Sequence, residues 1–239
     1  MMKYKRVLLK LSGEWLANRE KKLSIDYELV EALAKQIKKI IAKNVQVAIV
    51  VGGGNLWRGA SAEKNGIPRS KADYIGMMAT LMNALALQSI FEVSKIKSRV
   101  LSSLSVDQKI AEPFILEKAN KYLEKGKVVI MAAGTGRPYF TTDTASTLFA
   151  LEIKADVLLL GKNEVDGIYD SDPKVNSKAK HYETISYNEI LKKQLKVMDS
   201  TAVAMARDNN IKLLVFNIGE KDSIVKTLEG KGKFTIVNN

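Results

Sequence analysis

GTGRPYFTTD, residues 134–143, joins an apolar run to a segment with helical spacing, and this junction decides the fold. Residues 127–133 before it are almost continuously apolar and rich in β-branched side chains, which is typical of a buried strand. Residues 145–153 after it place apolar side chains at helical intervals. Glycines let backbone N–H groups approach an anion, and a helix N-terminus adds partial positive charge. The stretch therefore predicts a strand, an anion-binding turn and a helix.

A second junction of the same kind lies upstream. Residues 45–51 are apolar and end abruptly in Gly52-Gly-Gly-Asn55, with Arg58 and Gly59 just beyond. Because each turn suits one set of phosphates, two such turns predict that two phosphorylated ligands meet on this protein.

The glycine turn that begins at Gly52 matches neither of the two commonest phosphate-binding motifs. A dinucleotide fingerprint starting at Gly52 requires glycine at the position of Trp57. A P-loop ending at Gly59 requires lysine at the next position, which is Ala60. The chemistry of the turns therefore has to be identified from the rest of the chain.

The composition is typical of a globular enzyme-sized domain. The chain has 239 residues, of which 46% are hydrophobic, and α/β folds of this length often form one domain. No apolar stretch free of charge is expected to cross a bilayer, and no signal peptide is expected at the N-terminus. The sequence contains no cysteine, so disulfide and thiolate chemistry are excluded and a cytoplasmic location is expected.

The net charge of +12 raises the question of nucleic-acid binding. The basic residues are mostly lysines spread over predicted helix faces and mixed with glutamates, rather than clustered. This pattern favours solvated helix surfaces, and the overall positive charge suits a small phosphorylated substrate.

The order of predicted elements indicates an α/β fold with strands and helices in alternation. The predicted strands cover residues 6–11, 45–51, 99–104, 127–133, 156–160, 212–216 and 234–237. Residues 12–14 are a predicted turn, and the predicted helices begin after Asp26, at Asp73, at 113, at 145 and at Asp199. The expected architecture is a three-layer αβα sandwich around a mainly parallel sheet, in one domain over residues 1–239. Ligands of such sheets bind at the carboxyl ends of the strands, where both glycine turns fall.

Several motifs together resemble one protein family over nearly the whole chain. They are Lys10-Leu-Ser-Gly-Glu14, the turn Gly52 to Asn55 with Arg58 and Gly59, Asp73, the turn 134–143, Val165-Asp-Gly-Ile-Tyr169 with Asp172 and Pro173, and Lys196-Val-Met-Asp199. In this order they resemble the bacterial uridylate kinases, a branch of the amino acid kinase superfamily. The resemblance implies an amino acid kinase-like fold.

The implied reaction is reversible transfer of the ATP γ-phosphoryl group to UMP, giving UDP and ADP, in pyrimidine nucleotide biosynthesis. ATP and UMP are the expected partners, and Mg²⁺ is expected to arrive with ATP rather than on assigned protein ligands. The second pKa of a nucleotide phosphate is about 6, so the acceptor is already an anionic nucleophile at neutral pH. No general base is then required, and His181, the single histidine, is interpreted as a surface residue without a partner.

Four residues are expected to carry the chemistry, and they are Lys10, Arg58, Asp143 and Lys162. Burying a lysine within the apolar strand 6–11 costs free energy unless an anion compensates it, which favours a functional Lys10. By resemblance Lys10 holds the transferring phosphoryl group, Arg58 lies near the reacting phosphates, and Asp143 organises the lysines or Mg²⁺. Lys162 matches a position at which relatives often carry a second cation.

The resemblance also implies two sets of nucleotide-binding residues. The expected ATP set is Lys10, Leu11, Ser12, Gly13, Gly54, Arg58, Asn163, Tyr169 and Asp172. The expected UMP set is Gly53, Asp73, Thr135, Gly136, Arg137, Pro138, Tyr139, Phe140, Thr141 and Thr142. Asp73 is either a ribose-hydroxyl partner or a helix cap, or both, and Asp199 is interpreted as a helix cap. UMP contacts are expected mainly in residues 1–155 and ATP contacts mainly in residues 156–239.

The resemblance extends to assembly and to regulation. Members are typically hexamers built from dimers, and a homo-oligomer is expected here, with neither a membrane nor nucleic acid as a required partner. Relatives commonly carry a glycine-containing loop linked to GTP activation, whereas residues 18–24 contain no glycine. The loop itself therefore gives no support for control by GTP.

Two other function classes remain open at this point. An amino acid kinase fold can phosphorylate a carboxylate or carbamate, although the match over residues 135–142 argues against it. A nucleic-acid-binding regulator without catalysis is suggested by the charge alone. Kinase activity on a carboxylate or carbamate without activity on UMP would favour the first alternative. Salt-dependent DNA binding without ATP turnover would favour the second.

Overall fold

A computed structural model of the chain describes residues 3–239. The strands are β1 (Arg6–Leu11), β2 (Gln46–Val51), β3 (Ser98–Ser102), β4 (Glu112–Pro113), β5 (Val128–Ala132), β6 (Val157–Lys162), β7 (Ile168–Tyr169), β8 (His181–Tyr182), β9 (Thr184–Ser186), β10 (Leu213–Asn217) and β11 (Phe234–Asn238). The helices are α1 (Gly13–Leu16), α2 (Tyr27–Ile41), α3 (Gly59–Lys64), α4 (Arg69–Val93), α5 (Leu116–Glu124), α6 (Thr142–Glu152), α7 (Tyr187–Lys192), α8 (Ser200–Asp208) and α9 (Ser223–Leu228).

A nine-stranded sheet with the order β4-β3-β5-β2-β1-β6-β10-β11-β9 runs through the described part of the chain. Its neighbours pair in parallel, except for the antiparallel β10 and β11. β7 and β8 form a separate antiparallel hairpin. The mainly parallel sheet predicted from alternating strands and helices is confirmed.

Alternate residues of the central strands pack into two different cores, which is why these strands are apolar throughout. In β1, Leu9 and Leu11 join the core beneath α2, α4 and α9. Leu8 joins the core on the opposite face, beneath α5, α6, α7 and α8. Parallel sheets need helices on both faces, and the expected three-layer arrangement is confirmed.

Three predicted local structures are wrong in detail. α4 begins at Arg69, because the extended backbone of Pro68 ends the preceding turn, so Asp73 lies inside the helix and does not cap it. Pro113 belongs to the short strand β4 beside Ser102, and α5 begins only at Leu116. The expected turn after β1 is the short helix α1, which Ser12 caps by accepting the N–H of Glu14.

The length and composition of α4 alone would let it span a membrane, contrary to the expectation from the sequence. Half of its most apolar window is buried in the protein. Leu81, Ala84 and Leu87 pack in the core beneath the sheet. Core packing therefore accounts for the apolar character of this helix.

Candidate active site

The functional side chains converge at the carboxyl edge of four neighbouring parallel strands. Lys10 lies near the end of β1, the glycine turn follows β2, the turn at 133–136 follows β5, and Lys162 ends β6. In parallel sheets this edge is where ligands bind, because loops there diverge and leave a crevice. Both sequence-predicted phosphate turns are therefore on the same side of the molecule.

Backbone packing holds the first two turns against each other. A Cβ atom on Gly13 would lie 2.5 Å from the carbonyl oxygen of Gly52, so only glycine fits at position 13. A Cβ atom on Gly52 would in turn lie 3.5 Å from the hydroxyl oxygen of Thr142. The β1 turn, the β2 turn and the first turn of α6 thus meet at one point.

Lys10 and Asp143 form an ion pair at this meeting point. Their Nζ and Oδ1 atoms are 2.5 Å apart, and the side chains are 12% and 19% exposed. Asp143 Oδ1 itself is buried and accepts no other hydrogen bond from residues 3–239. A largely buried lysine normally requires such a counter-charge, and the carboxylate of Asp143 supplies it at the end of an apolar strand.

Lys162 is the second cation of this cluster. Its ammonium donates to the carbonyl oxygen of Val197 at 2.5 Å. Burial lowers the pKa of Lys162, the nearby Lys10 lowers it further, and Asp143 partly opposes both effects. The structure therefore brings together Lys10, Asp143 and Lys162, as the sequence analysis expected for three of its four catalytic candidates.

Arg58, the fourth candidate, lies at the rim beside Gly54 rather than in the buried cluster. Its guanidinium pairs with Glu14 at 2.8 Å, and both side chains are about half exposed. Exposed ion pairs of this kind contribute little stability, so Arg58 can exchange Glu14 for a ligand at small cost. A cavity of about 260 Å³ adjoins the pair and is lined by Arg19 and Lys22 as well.

A cavity of about 280 Å³ lies between the glycine turn, α4 and the turn after β5. Its lining includes these members of the expected UMP set: Gly53, Asp73, Thr135, Phe140, Thr141 and Thr142. The remaining members, Gly136, Arg137, Pro138 and Tyr139, belong to the same turn but do not line the cavity. Trp57 and Met77 line it without having been singled out, and their apolar surfaces suit the face of a base.

Asp73 is engaged on both oxygens. Oδ2 accepts the backbone N–H of Tyr139 at 2.7 Å, and Arg69 Nε lies 3.0 Å from each oxygen. The Arg69 guanidinium also lies 5.7 Å from the centre of the Tyr139 ring. Asp73 thus holds the tip of the turn 134–143 against α4.

A larger cavity of about 580 Å³ lies beyond β6. Lys162, Tyr169, Asp172 and Pro173 line it, so three of the expected catalytic and ATP-binding residues, Lys162, Tyr169 and Asp172, meet there. Asn163 is exposed and lies outside this lining. Leu11 is buried in the core, which leaves only its backbone for a ligand.

Two hydrogen bonds at its hydroxyl orient the Tyr169 ring at the wall of this cavity. Its hydroxyl donates to Asp166 at 2.5 Å and accepts from Lys233 at 2.8 Å. Burial, followed by the hydrogen bond to Asp166, raises the pKa of Tyr169. The side chain is therefore a neutral, well-oriented aromatic surface.

His181 is not the partnerless surface residue that the sequence suggested. The pairing of β7 with β8 sets it opposite Tyr169, and the two ring centroids are 5.1 Å apart. Its Nε2 lies 3.3 Å from the Thr235 hydroxyl. Burial, followed by the charge of Lys233, lowers the pKa of this histidine, which supports Tyr169 rather than the reacting groups.

Two residues that join parts of the site were not among the predicted site residues, although the helix cap expected of Asp199 is confirmed. The amide of Asn83, fully buried in α4, donates to the Gly52 carbonyl at 2.7 Å and pairs with the amide of Asn55. Asp199 bonds to the hydroxyls of Thr141 and Thr144, in addition to capping α8. A buried amide in an apolar helix was a usable signal for Asn83, whereas nothing near Asp199 in the sequence indicates its distant partners.

Among residues 3–239, no group of three or more His, Cys, Asp or Glu side chains is arranged to hold a metal ion. Asp143, the buried carboxylate at the cluster, has its Oδ1 engaged by Lys10. The polypeptide at this site therefore offers single carboxylates rather than a metal cage.

The sequence pattern of the amino acid kinase family matches residues 5–217. A protein named uridylate kinase from Mycoplasmopsis synoviae is 67% identical over 231 residues, which are 97% of each chain. Another protein of that name, from Mycoplasmopsis pulmonis, is 60% identical over 99% of this chain and 97% of its own.

Solved structures give the same result for the fold. A UMP kinase from Ureaplasma parvum superposes with a TM-score of 0.93 at 44% identity, over the whole of both chains. A UMP kinase from Bacillus anthracis superposes with a TM-score of 0.94 at 38% identity, over 98% of this chain and 96% of that chain.

Proposed function

This chain belongs to the uridylate kinases of the amino acid kinase family, and on that premise we propose that it transfers the γ-phosphoryl group of ATP to UMP. The products are UDP and ADP, the transfer is reversible, and it serves pyrimidine nucleotide biosynthesis. One observation carries the assignment. Lys162 of the cluster of Lys10, Asp143 and Lys162 lines the larger cavity, and Thr142, the neighbour of Asp143, lines the smaller one.

The proposed reaction needs alignment and charge compensation rather than a base. A phosphate oxygen of UMP attacks the γ-phosphorus while the bond to the oxygen bridging the β- and γ-phosphorus atoms breaks, and ADP leaves with that electron pair. Both reactants are anions, so their repulsion is the main obstacle to contact. The cations at the junction of the two cavities are suited to offset it.

Lys10 is the proposed ligand of the transferring phosphoryl group. In the structure its ammonium pairs with Asp143, which directly follows Thr142 of the smaller cavity. Lys162 lines the larger cavity, and we propose that its ammonium offsets negative charge on the ATP phosphates. Arg58 exchanges its exposed Glu14 partner for phosphate oxygens at the open rim. Asp143 then orients the lysines and does not accept a proton.

The two cavities divide the nucleotides between them. We assign UMP to the smaller cavity, in residues 1–155, with Asp73 at the ribose hydroxyls and Thr135 to Thr142 around uracil and phosphate. We assign ATP mainly to residues 156–239, with Tyr169 beside the base and Asp172 nearby. Backbone N–H groups at Ser12, Gly13 and Gly54 face the phosphates between them. Asn163 keeps only a rim contact, since it lies outside the lining.

The cation of the reaction is proposed to be Mg²⁺ bound to the ATP phosphates. Mg²⁺ retains several water ligands and binds through phosphates with one or two carboxylates, so it needs no protein cage. The single buried carboxylate of Asp143 fits that requirement. When bound, the ion withdraws charge from the β- and γ-phosphates.

The exposed face of α4 supports a homo-oligomer, which we propose to be a hexamer by family resemblance. Tyr74, Ile75, Met78 and Met82 are exposed at helical spacing on this face. Such a contiguous apolar stripe is typical of a surface that another copy of the chain covers. A cytoplasmic location is proposed with it, in keeping with nucleotide substrates and a chain that lacks cysteine.

A coupled assay of ADP formation tests the function. The chain is incubated with ATP, Mg²⁺ and, separately, UMP, CMP, AMP, GMP, aspartate, glutamate or carbamate. UMP is expected to give the highest kcat/KM. Higher kcat/KM with another nucleotide would reassign the acceptor, and turnover of a carboxylate or carbamate without UMP turnover would refute the proposal.

A further inference from the structure

Asp199 connects the beginnings of α6 and α8, two helices that pack on each other on one face of the sheet. Its Oδ1 caps α8 by accepting the N–H of Ala202 at 2.9 Å. Its Oδ2 accepts the hydroxyl of Thr141 at 2.5 Å and that of Thr144 at 3.0 Å. Thr141 in turn caps α6 by accepting the N–H groups of Asp143 and Thr144. The cap of one helix is thus hydrogen-bonded to the cap of the other.

The first of these helices carries the acceptor side of the site. Thr141 and Thr142 line the smaller cavity, and Asp143 in the first turn of α6 holds Lys10. Because Thr141 fixes the N–H of Asp143, a shift of Thr141 displaces the carboxylate that orients Lys10.

The second helix is preceded by the segment that forms the donor side. Residues 193–197, just before Asp199, line the larger cavity. Val197, two positions before Asp199, accepts the ammonium of Lys162. A shift of Asp199 therefore moves the carbonyl that holds the second cation.

We propose that Asp199 is a positioning residue that sets the distance between Lys10 and Lys162, and thereby the alignment of donor and acceptor. The inference rests on the proposed function. Asp199 contacts neither cation directly and acts through Thr141 with Asp143 on one side and through Val197 on the other. Charge-assisted hydrogen bonds are shorter and stiffer than neutral ones, which suits a carboxylate to this task.

The helix cap alone does not explain this arrangement. A serine serves as the cap of α7, and threonine caps α6, so α8 needs no carboxylate in order to begin at Ser200. Thr144 is 2% exposed, and its hydroxyl reaches Asp199 across a sequence separation of 55 residues. A buried hydroxyl directed at a distant carboxylate ties the two helices together, in addition to the packing of α6 on α8.

The substitution Asp199→Asn separates the two roles. The asparagine oxygen can still cap Ala202, because asparagine is among the best capping residues. Its NH₂ group then faces the Thr141 hydroxyl, which already accepts two N–H groups and can no longer donate to this position. Thr144→Val removes the other hydroxyl at nearly constant volume. Ser186→Ala is the matched control, since it removes the hydroxyl that caps α7. The bonds of that hydroxyl go to Glu189 of the same helix.

Steady-state kinetics of UMP phosphorylation and thermal unfolding are measured for the wild type, the single variants and the Asp199→Asn/Thr144→Val double variant. All rates are taken well below the lowest unfolding midpoint. A misplacement of about 1 Å lowers rates by about 100-fold, so we expect kcat to fall by about 10- to 100-fold in Asp199→Asn. KM for both substrates is expected to change by less than about 3-fold, because binding groups remain in place. Ser186→Ala should lower the unfolding temperature and retain kcat.

The double variant tests whether the residues act as a unit. We expect its kcat to fall by less than the product of the two single effects, because Thr144 donates to both oxygens of Asp199 and both substitutions weaken that one contact. Multiplicative losses, unchanged kcat in Asp199→Asn, or parallel losses in kcat and both KM values would overturn the inference. If Asp199→Asn does not fold, Thr144→Val takes its place, and we expect it to lower kcat without a matching change in either KM. An unchanged kcat in Thr144→Val would overturn the inference as well. A wild type that phosphorylates no UMP would instead refute the proposed function beneath it.

Discussion

The backbone N–H of Tyr139 donates to the carboxylate of Asp73 at 2.7 Å, across 66 positions of sequence. Tyr139 has a φ of +72°, a left-handed conformation that is unfavourable for a bulky residue. The side chain is 68% exposed, so packing of the ring does not compensate for this conformation. The hydrogen bond to Asp73, together with the Arg69 guanidinium near the Tyr139 ring, therefore fixes the tip of the turn beside the smaller cavity.

The substitution Asp73→Asn is expected to raise KM for UMP by about 10-fold with kcat nearly unchanged. The asparagine keeps the shape of the side chain but loses the negative charge that accepts from Tyr139 and from ribose hydroxyls, and a tenfold loss corresponds to about 1.4 kcal/mol. Initial rates at varied UMP and saturating ATP measure it. An unchanged KM for UMP would remove Asp73 from the acceptor site, while KM for ATP serves as the internal control.

The substitution Lys10→Ala is expected to lower kcat by at least about 100-fold and to change KM for UMP far less. The ammonium acts on charge at the transferring phosphoryl group, so its loss is felt mainly in the transition state. Lys35→Ala is the control, because Lys35 is an exposed helix residue paired only with Glu31 among the described residues. Equal effects of Lys10→Ala on kcat and on KM would show that Lys10 binds substrate without favouring the transition state.

Activity is expected to fall in the alkaline range at a lower pH than an ordinary lysine would give. Burial and Lys10 lower the pKa of Lys162, and only its protonated form offsets phosphate charge, so kcat falls as pH rises through that lowered pKa. In Lys162→Arg the alkaline fall should move to higher pH, since a guanidinium stays protonated. A profile of kcat against pH for both proteins measures this. If kcat of the two proteins fell over the same alkaline pH range, Lys162 would be excluded as the titrating group.

The substitution Gly13→Ala is expected to lower the free energy of unfolding by about 1–3 kcal/mol, the usual cost of overpacking. The new Cβ would meet the Gly52 carbonyl at 2.5 Å, and that oxygen belongs to the backbone and cannot swing away. Gly54→Ala is the matched control for stability, since its Cβ meets only the flexible Glu14 side chain, at 3.3 Å. Urea unfolding of both variants compares them, and equal stabilities would contradict the backbone contact.

The central strands of this fold are predictable from sequence for a simple physical reason. β1, β2, β5 and β6 are covered on both faces, so they appear as continuous apolar runs with no competing helical period. Their predicted limits agree with the structure to within two residues. The short strands β7, β8 and β9 are too polar and too brief to carry such a pattern.

Helix starts are harder to predict, as α4 illustrates. Asp73 is a good capping residue, and the residues just before it show no apolar periodicity, so the helix was placed there. The real start follows from the extended backbone of Pro68, and the side chain of Asp73 is used instead by Arg69 and Tyr139. A tertiary contact thus replaced the local role that the residue type favours.

The site shows the same division between local and distant information. Lys10 could be identified from the sequence because a charge inside an apolar strand demands an explanation. Asp143 was identified only through the family resemblance, because its partner Lys10 lies far away in the sequence. Asp199 bonds to Thr144 across 55 residues, and nothing near Asp199 in the sequence marks that partner. The amide of Asn83 bonds across 31 residues, and only its polar character within an apolar helix marks it in the sequence.

β1 is hydrogen-bonded along its whole length to β2 on one side and, from Val7 onward, to β6 on the other. The strand that ends beneath the acceptor cavity and the one that ends beneath the donor cavity are thus separated by a single shared neighbour. A rotation of one half of the molecule against the other would break the backbone hydrogen bonds of β1, which is buried on both faces. We therefore expect nucleotides to enter and leave through the surface turns while the floor of the site keeps its shape.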